Sequence, residues 1–136
     1  MKKFVLIPCC ILHYTFYIFS QSYPSQNITL LSHWATTDSF TNEHYADVWG
    51  WHNPLDAKEY AIIGTPKGTY FIDVTNPATP IVRDSIIDSV AQYLNIKTYQ
   101  QYCYLVEAGY GSKLKIADMS YLPDSIHLIH NDTTII

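Results

Sequence analysis

The chain has 136 residues, with 8 basic and 12 acidic side chains for a formal net charge of −4. An acidic chain without a basic cluster is a poor match for a nucleic-acid backbone or an anionic membrane surface, so those partners are excluded. Three cysteines, two of them in the N-terminal segment, leave Cys103 alone in the remainder and rule out an intrachain disulfide framework there.

Lys2 and Lys3 precede an apolar run over residues 4–19, and the small residues Ser20 and Ser22 follow. That order predicts a secretory signal peptide over residues 1–22, cleaved after Ser22, with Ser20 as the alternative site. The run is shorter than the roughly 20 apolar residues a spanning helix needs, so no membrane span is expected after cleavage. Cys9 and Cys10 lie too early for a lipoprotein signal. The remaining 114 residues carry six basic and twelve acidic side chains, a net charge of −6.

Turn residues divide residues 23–136 into short apolar pieces. Strands are expected at 28–34, 45–51, 59–65 and 69–74, with a short outer strand beginning at 81–83. Asn53-Pro54 marks a hairpin loop, and Thr65-Pro-Lys-Gly68 suits a type I turn. Residues 84–92 read either as one helical turn or as an irregular crossover. Further strands are expected at 93–99, 102–108, 113–118 and 126–130. Ala61-Ile-Ile63 and Tyr104-Leu-Val106 are apolar at successive positions, which predicts sheets covered on both faces. No segment has the pattern of an amphipathic helix of twelve or more residues.

The order of pieces repeats. Asp73 and Asp118, 45 residues apart, each close an apolar run, and self-similarity at such a period marks solenoids, propellers or arrays. Repeat units fall near 45–83 and 93–130. A complete propeller needs roughly four to eight blades of about 40–50 residues. The expected fold is therefore all-β, a partial β-propeller of about two to three blades of antiparallel strands, preceded by the signal peptide.

Asp47-Val-Trp-Gly-Trp, Lys58-Glu-Tyr-Ala-Ile-Ile-Gly64 and Gly68-Thr-Tyr-Phe-Ile-Asp-Val-Thr-Asn-Pro77 resemble the choice-of-anchor B family, as do Asn27-Ile-Thr-Leu-Leu-Ser-His-Trp34 upstream and Asn95-Ile-Lys-Thr-Tyr99 with Tyr104-Leu-Val-Glu-Ala108 downstream. These units are similar to LVIVD repeats. The resemblance covers most of residues 27–124 and implies a β-propeller in an exported, secreted or cell-surface bacterial protein. It supplies no enzymatic activity. Family members look longer and end in surface-anchoring signals, whereas this chain ends at Asn131-Asp-Thr-Thr-Ile-Ile136. The expectation is an N-terminal portion, a truncated reading frame or an incomplete gene model.

Candidate chemistry is sparse. Asp73 and Asp118 read as acceptors for the backbone of the following turn, an Asx arrangement, rather than as acid, base or metal ligand. His127 and His130 form H-x-x-H, but a strand of period two sends them to opposite faces, and no metal or other cofactor is expected. Gly109-Tyr-Gly-Ser112 lacks the G-K-[ST] ending of a phosphate loop, and no G-x-S-x-G elbow is present. Cys103 reads as a small buried hydrophobe. Trp34, Trp49 and Trp51 are the candidate ligand-binding aromatics. A sugar-binding platform is the functional reading of the three, and packing between blades is the structural one. Gly50, between two of them, is expected to allow close backbone approach. The function expected is that of a non-enzymatic module that binds a protein or glycan or serves structurally. The alternative is the N-terminal fragment of a propeller enzyme. Unclosed blades would expose residues such as Ile62, Ile63, Leu105 and Val106, giving a chain prone to self-association.

Overall fold

The computed structural model describes residues 27–36, 45–87, 93–108 and 113–132. The signal segment 1–22, the glycine loop 109–112 and the stretch 88–92 lie outside the described residues. Eight strands and no helix occur among the described residues: β1 (Asp47–His52), β2 (Glu59–Thr65), β3 (Gly68–Asp73), β4 (Ile81–Ile87), β5 (Tyr93–Tyr99), β6 (Tyr102–Ala108), β7 (Lys113–Asp118) and β8 (His127–Asp132). They make two four-stranded antiparallel sheets, ordered β1-β2-β3-β4 and β5-β6-β7-β8. The protein is thus all-β, and each sheet is a meander of neighbours in sequence. Connections of two to eight residues favour this, because a hairpin is the shortest way to pair consecutive strands.

The strands follow runs of β-branched and aromatic residues that pack well on a pleated surface. The first departure from expectation is at residues 28–34, where no strand forms. That segment lies along Val74, Pro77 and Pro80 and is tied down by the Ser32 hydroxyl donating to the Pro77 carbonyl at 2.6 Å. Prolines have no N–H to offer a ladder, so an apolar segment laid beside them stays unpaired. The second is at 84–87. These residues form neither a helical turn nor a crossover but extend β4, because β3 pairs with it as far as Gly68↔Ile87.

Both sheets carry one irregularity at the same place. The β3–β4 register shifts between Phe71 and Ile72, and the β7–β8 register shifts between Ile116 and Ala117, 45 residues on. A bulge adds one residue to the outer strand and moves later side chains to the other side. His127 pairs with Asp118 and His130 with Ile116, two residues apart on β7. The two histidines therefore share a face, contrary to the expectation from uninterrupted alternation.

Each sheet turns one face into a shared core. The cross-strand rows Trp49–Ile62–Phe71 and Trp51–Tyr60–Asp73 define the inner face of the first sheet. The rows Ile96–Leu105–Lys115 and Thr98–Cys103–Ala117 define that of the second. These faces meet in one core, which Met119 and Leu122 complete. β1 and β2 lie against β5. Burial on the other face is partial in the first sheet, where Thr65 and Ile72 are buried and Ala61 and Ile63 half-buried, and does not hold in the second, where Tyr104 is half-buried and Val106 exposed. Ile62 and Leu105 are fully buried between the sheets rather than exposed. The close approach occurs at Gly64, where an added Cβ would sit 2.5 Å from Leu94 Cδ2, whereas Gly50 has nothing within 4 Å.

Candidate functional site

The seam between the sheets gathers Trp49 and Trp51 with polar side chains that sequence reading did not single out. Trp49 and Trp51 alternate along β1 and so project from the same face, into the seam. The Trp49 indole N–H donates to Thr98 Oγ1 at 2.9 Å, and that of Trp51 to the Gln100 carbonyl at 2.8 Å. Lys97 Nζ lies 3.7 Å from the centroid of the Trp49 ring, a cation–π contact. Trp51 also tilts against Tyr60, with ring centroids 5.6 Å apart. At the head of the seam the Asp47 carboxylate takes the Val48 N–H on Oδ1 and the Ile96 N–H on Oδ2, both at 2.8 Å. At its outer end Asp84 Oδ2 accepts the Ile126 N–H at 2.8 Å.

Trp34 lies elsewhere. It tilts on Tyr70 with ring centroids 5.3 Å apart, on the opposite face of the first sheet. There it lines an open groove of about 560 Å³ with His33, Tyr45, Val48 and Ile63. The sheet thus stands between Trp34 and the Trp49–Trp51 pair, and the three rings make no common surface.

Asp73 and Asp118 both accept the backbone N–H two residues on, from Thr75 at 3.1 Å and Ser120 at 2.9 Å. Asp73 is also clamped by Arg83, whose Nη2 donates to Oδ2 at 2.7 Å and Nε at 3.2 Å. Burial opposes ionisation of Asp73, but hydrogen bonding from Thr75 and the Arg83 guanidinium outweigh it and hold the carboxyl below its ordinary value. Arg83 is the bulge residue of β4, and its counterpart in β8 is Ile129. The turn is therefore common to both sheets, whereas the ion pair belongs to the first.

Burial first, then the Asp56 and Asp73 carboxylates, pushes the Tyr60 phenol up to about 12. The Cys103 thiol, fully buried, is pushed up to about 12 by burial alone, which makes it a poor nucleophile at neutral pH. His52 pairs with Glu59 across β1 and β2 at 2.7 Å on an exposed face. The His127 ring stacks on Tyr121 with centroids 3.9 Å apart. His33 borders the groove, and His13 and His44 lie outside the described residues. Among the described residues no three His, Cys, Asp or Glu side chains gather as a metal site would require.

Sequence reading missed a buried charge pair. Lys115, 2% exposed, donates from Nζ to Glu107 Oε1 within the core-facing side of the second sheet. The signal was present: Cys103, Leu105 and Glu107 alternate along β6, as do Lys115 and Ala117 along β7, so period two places both charges on the core side. Asp47 and Gly64, the two residues that fix the first sheet's distance from β5, were likewise not singled out. No family model, curated protein or solved structure matches the chain.

Proposed function

We propose that the two sheets are consecutive blades of a β-propeller-like array in an exported or cell-surface protein, similar to the choice-of-anchor B family, with a non-enzymatic structural and binding role. One observation carries this reading: the two sheets do not face each other symmetrically. The row Lys97–Tyr104–Ile116 of the second sheet occupies the register positions that Trp49–Ile62–Phe71 occupy in the first. The first sheet covers that face by packing on its neighbour, and the second turns it outward. Successive units stacked in one direction, each hiding the same face against the next, are what a blade array requires. The repeated bulge and Asx turn support the same relation.

The titratable groups in the seam are tied to architectural partners, which supports a scaffold over a reaction centre. The groove beside Trp34 is one surface that the single chain leaves open to a partner. Export is tested by the intact mass of the protein recovered outside the cell, which should begin at Tyr23, or at Gln21 for the earlier cleavage. Full-length chain retained in the cytosol sinks the export reading. The stacking is tested by hydrogen exchange at the Ile96 amide, which should be slowed by Asp47 and released in Asp47→Ala. Fast exchange there in the unaltered chain would mean that β1 does not pack on β5, without which the first sheet's face is not covered by its neighbour and the blade reading falls.

A further inference from the structure

The two ends of the molecule carry the two halves of an interface that the molecule already contains. At one end the second sheet presents Tyr99, Tyr102, Tyr104, Val106 and Ile116 on the side away from the core. Tyr99 is 66% exposed and Val106 42% exposed. These positions match by register the face that the first sheet buries. At the other end the first sheet presents Val48 and Ile63, which match Ile96 and Leu105, the residues against which that face is buried. Val48 is 61% exposed and forms one wall of the groove beside Trp34.

We infer that these two ends bind one another between copies, so that the outer face of the second sheet in one copy seats on the Val48–Ile63 face of the first sheet in the next. This rests on the reading of the sheets as successive units of one stack. The occupant is a second copy because the contact continues, in the same direction and with matching positions, the sheet-on-sheet packing inside the chain. The contact is heterologous, joining different patches, so it propagates into a ring or an open chain and does not stop at a dimer. The tyrosine-rich face favours it, since Tyr supplies apolar area with a hydroxyl able to stay wet.

The contact between copies is weaker than the one within the chain. At the position of Asp84, which accepts the Ile126 N–H inside the molecule, the second sheet carries His130, and at the position of Ile126 the first sheet carries Pro80, which has no N–H. The outer hydrogen bond is therefore missing. The two indole hydrogen bonds of the seam are missing as well, because Lys97 and Tyr99 stand at the positions of Trp49 and Trp51. What is reproduced is the packing of one sheet face on the next, so the association is reversible and grows with concentration.

Sedimentation velocity on the full chain over a wide concentration range tests this. The unaltered chain should rise in mass beyond a dimer. Val106→Asp, which charges one end, and Val48→Asp, which charges the other, should each be monomeric alone. Their equimolar mixture should form a dimer and nothing larger, because one compatible pair of ends remains. Tyr99→Asp should behave as Val106→Asp does, and the regained dimer shows that the variants fold. Self-association of Val48→Asp alone would mean a symmetric contact between two tyrosine faces, or one through another part of the chain, and overturns the inference. So does an unaltered chain that stays monomeric. In that case a slow-exchanging Ile96 amide leaves the blade reading standing and refutes only the stacking of copies, whereas a fast-exchanging one refutes both.

Discussion

Replacing Lys115 with Met should be among the most damaging single changes to this protein, and replacing Glu107 at the same time should repair most of the damage. The Lys115 side chain is 2% exposed and that of Glu107 11% exposed, and the two are hydrogen-bonded in the core-facing side of the second sheet. An exposed ion pair is worth at most about 1 kcal/mol. A buried pair behaves differently: removing one partner leaves an uncompensated charge in a poorly hydrated site, which is destabilising by about 3–5 kcal/mol, while replacing both by apolar groups is often neutral or stabilising. Total stability of a domain this size is about 5–15 kcal/mol. Lys115→Met, which strands the Glu107 carboxylate, should therefore lower the Tm by at least about 12 °C, at about 4–8 °C per kcal/mol. Lys115→Met/Glu107→Leu should unfold within about 1 kcal/mol of the unaltered chain. Thermal unfolding followed by circular dichroism, with urea titration of the same four proteins, completes the cycle. If each single change is worth less than about 1 kcal/mol, the pair is effectively hydrated. If the double variant is as unstable as the sum of the singles, the two charges act independently, and the buried-pair argument fails.

Two further outcomes follow from the seam and the turn. Gly64→Ala should destabilise by about 1–3 kcal/mol through overpacking against Leu94, whereas Gly50→Ala, with open space around it, should stay within about 0.5 kcal/mol, and equal effects in urea unfolding would count against the close approach at Gly64. Asp73 has a folded-state pKa below its ordinary value of 3.8, so its ionised form stabilises the fold above about pH 4, and that contribution disappears as pH falls through the folded value. Asp73→Asn should thus lose about 1.5–3 kcal/mol at pH 7 and converge on the unaltered chain in acid, while stability curves that stay parallel down to low pH would show that the carboxylate's charge is immaterial.

Strands whose own residues dictate them were legible. Residues 59–65, 93–99, 102–108 and 113–118 are bounded by turn residues and filled with Tyr, Ile, Leu and Val, and they form as read. Where the deciding factor lay in another segment, the sequence misled. Residues 28–34 look like a strand, but their neighbours are prolines. Asp84 and Ser85 do not look like strand interior, but β3 offers them a ladder. Alternation correctly put Trp49 and Trp51 together. It had no means of placing Trp34, whose side of the sheet depends on the path of an irregular segment. The faces of His127 and His130 were misjudged because one bulged residue, invisible in composition, reverses the alternation beyond it. The repeat of Asp73 and Asp118 at the ends of matching strands points to turn acceptors, and the hydrogen bonds from Thr75 and Ser120 show that role directly.

Asp47 does more than couple the sheets. β1 and β5 are edge strands, each paired on one side only. Amides left over on such edges are templates for a foreign strand, the starting point of domain swapping and amyloid growth. Val48 and Ile96 occupy matching positions on the two edges, and one carboxylate engages the amides of both. An invading strand must first displace a charged acceptor from two donors, and it finds the opposite sheet in its way. Loss of that single side chain frees an amide on each of these two edges at once, which ties their protection to the same residue that joins the sheets, while β4 and β8 remain edges of their own.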